Sequence, residues 1–89
     1  MNRNVISDAA VSAAKAYSHA TVEPRHVLFA LARHFREHPE CAGFADAAKR
    51  GLEPRGNAYT SPTMSEAATA LLGTLNSDAD GIAALRQAF

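Results

Sequence analysis

The strongest apolar pattern in the chain lies at residues 22–35 and predicts a central helix. Its apolar positions recur at spacings of three and four, which places them on one helical face: Leu28, Leu31 and Phe35. Pro24 suits the first turn of a helix, where its missing N–H costs no hydrogen bond. Pro39 disfavours helical geometry in the residue before it, so we expect this helix to end near Glu37.

Alanine-rich segments on both sides of this helix predict two more helices. The first is expected at about 5–17, with an apolar face of mostly methyl groups: Val5, Ile6, Ala9, Ala10, Ala13 and Tyr17. The other begins at Pro39, with Cys41, Phe44, Ala45 and Ala48 facing inward. We expect Gly51 to end it in the left-handed conformation, with Leu52 folding back over the helix end.

The last third of the chain predicts a loop followed by two short helices. Residues 53–62 carry two prolines and a glycine without periodicity, which indicates a loop. Thr63 and Glu66 have the spacing of a capping box, and the apolar stripe of the helix that follows is Ala67, Ala68, Leu71, Leu72 and Leu75. A final helix is expected from about Asp78, with Ile82, Leu85 and Phe89 on one face.

Two sets of matching positions suggest a degenerate internal repeat. The spacing of Leu28, Leu31 and Phe35 returns fifty-four residues later, and the segment 7–10 is echoed fifty-eight residues later by 65–68. The sequence thus predicts an all-α domain of about five short helices. We expect them to pack as two helix pairs around Leu28, Leu31, Phe35, Leu71, Leu72, Leu75 and Leu85. The alternative is that simple alanine-rich helices resemble one another by chance.

Composition indicates one small cytoplasmic domain without a nucleic-acid or membrane partner. The 89 residues are 47% hydrophobic and 20% charged, which is typical of a globular domain. The formal net charge is zero, whereas nucleic-acid binders are usually basic. Cys41 is the only cysteine, so no internal disulfide forms. The chain has no apolar run of about 20 residues and does not begin like a signal peptide.

Few residues form a pattern that suggests chemistry, and we expect neither an enzyme nor a cofactor. The chain contains no phosphate-binding loop of the G-x-x-x-x-G-K-[ST] kind. The spacing of His34, His38 and Cys41, with Glu37 or Glu40 nearby, suits zinc, but Pro39 interrupts the helix that would align them. We therefore favour the interpretation that both histidines are helix-end cations and that Cys41 is a core residue, with a zinc site as the alternative.

Two further histidine interpretations concern catalysis and structure. A nucleophile–base pair of Cys41 and His38 would lack both an oxyanion-hole motif and a third group. His26, in the first turn of the central helix, is expected to hydrogen-bond the preceding loop.

The predicted contacts for a protein partner are Val5, Val22, Arg25, Tyr59 and Met64. Four of them are apolar residues without an obvious core role.

The central segment also resembles a known family. The motif Val-Glu-Pro-x-His at 22–26, followed by Val-Leu-Phe-Ala-Leu at 27–31, is similar to the amino-terminal repeat domain of Clp-type AAA+ unfoldases and chaperones. The alanine-rich stretch at 9–17 resembles the first helix of that repeat. The resemblance implies a non-catalytic domain of protein quality control that docks substrates or adaptor proteins. The AAA+ motor would lie in the same or another chain. It also agrees with a structural role for His26, since the matching histidine of the family is not catalytic.

The resemblance divides residues 1–89 into repeat one at about 5–52, the loop 53–62 and a shortened repeat two at about 63–89. The second repeat lacks the His-Leu-Leu signature, so the domain is either abbreviated or cut from a longer chain. Some relatives carry an acidic residue before the histidine that helps to bind phosphoarginine-tagged substrates. Arg25 stands there, so that activity is not implied. The alternatives are a standalone interaction or dimerisation domain and a small metal-binding regulator.

Overall fold

The computed structural model describes residues 2–54 and 62–89 and shows a mostly helical domain. The helices are α1 (Arg3–Ala16), α2 (Pro24–His34), α3 (Phe44–Arg50), α4 (Glu66–Gly73) and α5 (Asp78–Ala88). A 3-10 turn at Pro39–Cys41 precedes α3, and two short strands, β1 (Thr21–Val22) and β2 (Thr63–Met64), precede α2 and α4. The all-helical prediction therefore holds except for these strands. None of the helices in the described ranges has both the length and the apolar character needed to cross a bilayer.

Helix α2 is the central element, as predicted, because it contacts all four other α-helices. It is buried on more than one face, since Val27, Leu31 and Ala32 have no exposed surface and Ala30 very little. The helix ends at His34 rather than near Glu37. The His38 N–H closes a turn on the Phe35 carbonyl, so the chain leaves the helical path before it reaches the proline.

Helix α1 packs along α2 through small side chains. Ile6, Ala10 and Ala14 are fully buried, and alanine at the contact lets two helix backbones approach closely. The predicted face is correct at Ile6, Ala10 and Ala13, but Val5 is 51% exposed and Ala9 is also exposed. The buried stripe is therefore rotated toward Ala14 relative to the predicted one.

A parallel pairing of two residues each joins the two halves of the chain. Thr21 pairs with Thr63 and Val22 with Met64. The predicted capping box at Thr63 is wrong, because Thr63 belongs to β2 and Ser65 caps α4 by accepting the Ala68 N–H at 3.1 Å. The pairing fixes the start of α4 beside the start of α2.

Glycines near α3 differ from their predicted roles. The predicted third helix is split, because Gly43 adopts φ +87° between the 3-10 turn and α3. Gly51 ends α3 with φ −80°, so the predicted left-handed stop is wrong. Leu52 is buried, and its N–H bonds to the Lys49 carbonyl over the end of the helix, as expected.

The last two helices pack on α2 rather than extensively on each other. Leu75 and Leu85 are buried, whereas the predicted core residues Leu71, Leu72 and Leu28 are half-buried. Ile82 is also half-buried. Phe89 is 44% exposed, although the centre of its ring lies 5.6 Å from the centre of the Phe44 ring. Because α1 and α2 pack closely whereas α4 and α5 do not, the arrangement gives no support to two equivalent helix pairs.

Candidate functional site

An open groove of about 1160 Å³ lies between α1, α2 and α3. The buried side chains that line it form an apolar floor: Ile6, Ala13, Phe29 and Ala30. The exposed Val5 and Ala9 add an apolar wall from α1. A concave apolar surface of this kind can receive the side chains of a partner.

The groove exists because its walls carry small side chains. Helices α1 and α3 both pack on α2 and make little contact with each other. Ala9 and Ala16 of α1 and Ala45 of α3 line the space between them, and methyl groups are too short to fill it. The groove is thus a product of the alanine content of these two helices.

Positive charge surrounds this apolar floor. Arg33, Arg36 and Lys49 line the groove, with Asp46 as the one carboxylate in the lining. Arg33 and Lys49 lie in the last turns of α2 and α3, where cations offset the negative helix end. None of the three cations has a carboxylate within 4 Å in the described part of the chain, although the Arg33 guanidinium lies 5.7 Å from the centre of the Phe29 ring.

The five predicted binding residues do not form one surface. Val5 lines the groove, but Val22 has no exposed surface because it lies in the β1–β2 pairing, so it cannot contact a partner in this conformation. Arg25 Nε lies 2.9 Å from Glu23 Oε2, and its Nη1 lies 3.5 Å from the Gly51 carbonyl oxygen. Met64 is half-buried against the core. Tyr59 lies outside the described residues.

A buried chain of hydrogen bonds joins two histidines to two loops. The Glu23 N–H donates to His26 Nδ1 at 2.8 Å, and His26 Nε2 lies 2.6 Å from His19 Nδ1. His19 Nε2 lies 2.6 Å from the Glu53 carbonyl oxygen. Both rings are almost completely buried. The predicted hydrogen bond from His26 to the preceding loop is therefore present, and His19 extends it to the segment after α3.

If both rings are neutral, only one placement of their protons allows all three of these hydrogen bonds to form. His26 Nδ1 accepts from a backbone N–H, so its proton must be on Nε2. That proton is donated to His19 Nδ1, which leaves the His19 proton on Nε2 to bond the Glu53 carbonyl. Burial, then repulsion from His19 and Arg25, lowers the pKa of His26 below its ordinary 6.5, against a smaller opposing effect of Glu23. Both the geometry and the burial favour neutral His26.

The three residues whose spacing suits zinc, His34, His38 and Cys41, do not come together in the structure. His34 is exposed at the end of α2, and its ring packs edge-on against Phe35. His38 Nδ1 accepts the Glu40 N–H at 3.3 Å, whereas Cys41 is buried. Within residues 2–54 and 62–89, no three His, Cys, Asp or Glu side chains are close enough to hold a metal ion.

Cys41 and His38 also lack the geometry of a nucleophile and its base. No side-chain hydrogen bond joins the two in the described structure. Burial raises the pKa of the Cys41 thiol, which disfavours the reactive thiolate.

Comparison of the chain with protein-family models, curated proteins and solved structures found no match. The groove and its charges therefore carry the functional argument. Sequence reasoning identified Val5 but missed the rest of the groove, although the alanines of the first predicted helix and the cations near Arg33 were the available signals.

Proposed function

We propose that this chain is a non-catalytic protein-binding domain that docks substrates or adaptor proteins for a Clp-type AAA+ unfoldase in the cytoplasm. The observation that carries the proposal is the open groove of about 1160 Å³ between α1, α2 and α3. An apolar floor with a polar rim is the usual anatomy of a protein-recognition surface.

The groove suits weak and reversible binding. We expect a single groove on a domain of 9.4 kDa to bury less surface than the roughly 1,200 Å² at which stable complexes begin. We expect a Kd of about 10 μM to 1 mM, which corresponds to a binding free energy of about −7 to −4 kcal/mol. Such affinity suits a domain that captures a chain and then passes it to a motor.

The link to an AAA+ motor rests on the similarity of residues 5–52 to the Clp repeat. The stretch includes the apolar run of α2, which is the central helix of the fold, and His26, which ties that helix to its preceding loop. The motor would supply ATP hydrolysis, because this chain contains no phosphate-binding loop. The intact endogenous protein tests this link: a phosphate-loop ATPase should be found in the same chain or purify with it, and an isolated protein without one contradicts it.

Protein binding is tested by titrating the ¹⁵N-labelled domain with reduced, carboxymethylated α-lactalbumin, which is permanently unfolded. We expect chemical-shift changes at Ala13, Phe29 and Ala45, which line the groove. Ala9→Trp should abolish them by filling the groove, since Ala9 is an exposed lining residue. The control Ala67→Trp places the same ring on an exposed position of α4 and should leave binding unchanged. Changes confined to another face, or none, would contradict the proposal.

Light scattering after size-exclusion chromatography addresses the dimerisation alternative. The docking proposal predicts a monomer of 9.4 kDa with a free groove. A stable particle of twice that mass, converted to monomer by Ala9→Trp, would instead show that a second copy occupies the groove.

A further inference from the structure

We propose that the groove between α1, α2 and α3 selects an amphipathic protein segment whose apolar side chains are flanked by carboxylates. This rests on the proposed function, because it names the chemistry of the partner that the same groove takes. The exposed apolar side chains of the lining, Val5, Ala9 and Ala16, would contact the partner's aliphatic side chains, and the cations of the lining would face its acidic residues.

The charge around the groove differs from that of the whole chain. The formal net charge of the protein is zero, yet Arg33, Arg36 and Lys49 outnumber Asp46 three to one in the groove lining. The three cations have no carboxylate within 4 Å among the described residues, whereas Arg25 and Arg86, outside the groove, are paired with Glu23 and Glu40. Arg3, Lys15 and Arg50, which do not line the groove, also have no carboxylate within 4 Å among the described residues. The groove therefore differs from the rest of the protein in the excess of cations over carboxylates in its lining.

Helix-end electrostatics do not account for all of this charge. A helix C-terminus carries about half a negative elementary charge, so the ends of α2 and α3 together offset about one cation. Three cations and one carboxylate leave a net charge of +2, and about +1 remains after the helix ends are included. Arg36 also lies beyond the last residue of α2 and is not part of its last turn.

The accessible apolar lining of the groove favours a protein segment over a nucleic acid. The exposed lining residues Val5, Ala9 and Ala16 are aliphatic, and they match leucine, isoleucine or valine side chains rather than phosphates. Nucleic-acid grooves instead combine a cationic track with aromatic platforms for the bases. Phe29 is 91% buried and Tyr17 is half-buried, so the lining does not present a row of exposed rings for stacking.

The experiment uses two fluorescein-labelled peptides of roughly twelve residues, about 18 Å long as helices, the length scale of α1. Both carry leucines at helical spacing, and glutamates in one are replaced by lysines in the other. We expect the glutamate peptide to bind about tenfold more tightly by fluorescence anisotropy at low salt. Its advantage should shrink at about 0.5 M salt, where exposed charges are screened.

The adjacent cations of α3 provide a matched pair of variants. Both Lys49 and its neighbour Arg50 are exposed, but only Lys49 lines the groove. Lys49→Glu should weaken binding of the glutamate peptide by about fivefold, and Arg50→Glu, with the same change in net charge, should alter it less than twofold. Equal effects of the two variants would show that net charge rather than the groove is responsible, and would overturn the inference.

The remaining outcomes separate this inference from the proposed function. Equal binding of both peptides, lost in each case on Ala9→Trp, would overturn the charge selection and leave the docking groove standing. Binding of neither peptide, together with no shifts from unfolded α-lactalbumin, would overturn both. Tighter binding of a single-stranded oligonucleotide than of the glutamate peptide, weakened by Lys49→Glu, would show a nucleic-acid site and overturn the inference.

Discussion

Replacement of His26 by alanine should destabilise the domain more than any exposed histidine substitution. His26 is fully buried and lies in the middle of the hydrogen-bond chain from Glu23 to Glu53. Alanine removes the acceptor of the Glu23 N–H and the donor to His19 Nδ1. The ring that remains, His19, is itself 97% buried, so water has little access to replace the lost partner.

The expected loss follows from the two groups that lose a partner. A buried polar group without a partner costs about 1–3 kcal/mol, so the pair costs about 2–6 kcal/mol. A domain of 89 residues has a total unfolding free energy of roughly 4–13 kcal/mol, at 0.05–0.15 kcal/mol per residue. His26→Ala should therefore remove between about one sixth and all of the stability, and in the upper half of that range the protein is partly unfolded at 25 °C.

Urea unfolding at about pH 7.5, followed by circular dichroism, measures this loss. His34→Ala is the control, because His34 is exposed, and it should change the unfolding free energy by less than about 0.5 kcal/mol. A double-mutant cycle with His19→Ala should give a coupling of at least about 1 kcal/mol, since the two rings share one hydrogen bond. A loss of unfolding free energy below about 1 kcal/mol for His26→Ala, or simple additivity with His19→Ala, would refute the stabilising role assigned to the hydrogen bonds of these two histidines.

Three further predictions concern pH and local conformation. The contribution of His26 to the unfolding free energy should be fully present above about pH 7 and fall as the pH drops below 6.5, because the pKa of His26 is lowered on folding and the unfolded state therefore binds more protons. A urea midpoint that does not fall between about pH 7 and pH 5.5 would contradict this. Ser65→Ala should lower the free energy of unfolding by about 1 kcal/mol, because it removes the cap of α4. The control Thr63→Ala changes an exposed residue of β2 and should lower it by less than about 0.5 kcal/mol. Equal losses in urea unfolding would show that Ser65 does not cap α4. Gly43→Ala should destabilise the domain by about 1–2 kcal/mol, because Gly43 has a φ of +87°. Gly73→Ala should instead stabilise α4 by up to about 1 kcal/mol. Melting temperatures that shift in the same direction for both variants would contradict this pair of predictions.

Helix positions could be predicted because each helix has a local signal. Pro24 marks the start of α2, and the spacing of Leu31 and Phe35 marks its buried side. The pairing of β1 with β2 has no such signal, since two residues are too short to show alternation and the partners are forty-two positions apart. The capping error has the same origin: Thr63 and Glu66 match the motif, but the backbone of Thr63 is held by the strand, and Ser65 takes the capping position.

The histidine chain could be predicted only at one end. His26 stands in the first turn after Pro24, so a bond to the adjacent loop follows from helix-start geometry. His19 lies seven residues before His26, and Glu53 lies thirty-four residues after His19. Their placement therefore depends on how α3 returns the chain toward the α1–α2 turn. Ser18, with φ +56°, turns the chain at the end of α1 immediately before His19.

The groove shows why alanine content alone could not locate the site. An alanine-rich helix has methyl groups on most of its faces, so its sequence does not distinguish the side that packs from the side left open. The structure uses Ala10 and Ala14 to bring α1 against α2, and it leaves Ala9 and Ala16 beside the groove. Each cation could be explained locally by a nearby helix end, and only the packing of α3 against α2 brings Lys49 into the same groove as Arg33 and Arg36. A surface assembled from separate helices in this way becomes visible only in the folded chain, and it offers a partner methyl groups and positive charge together.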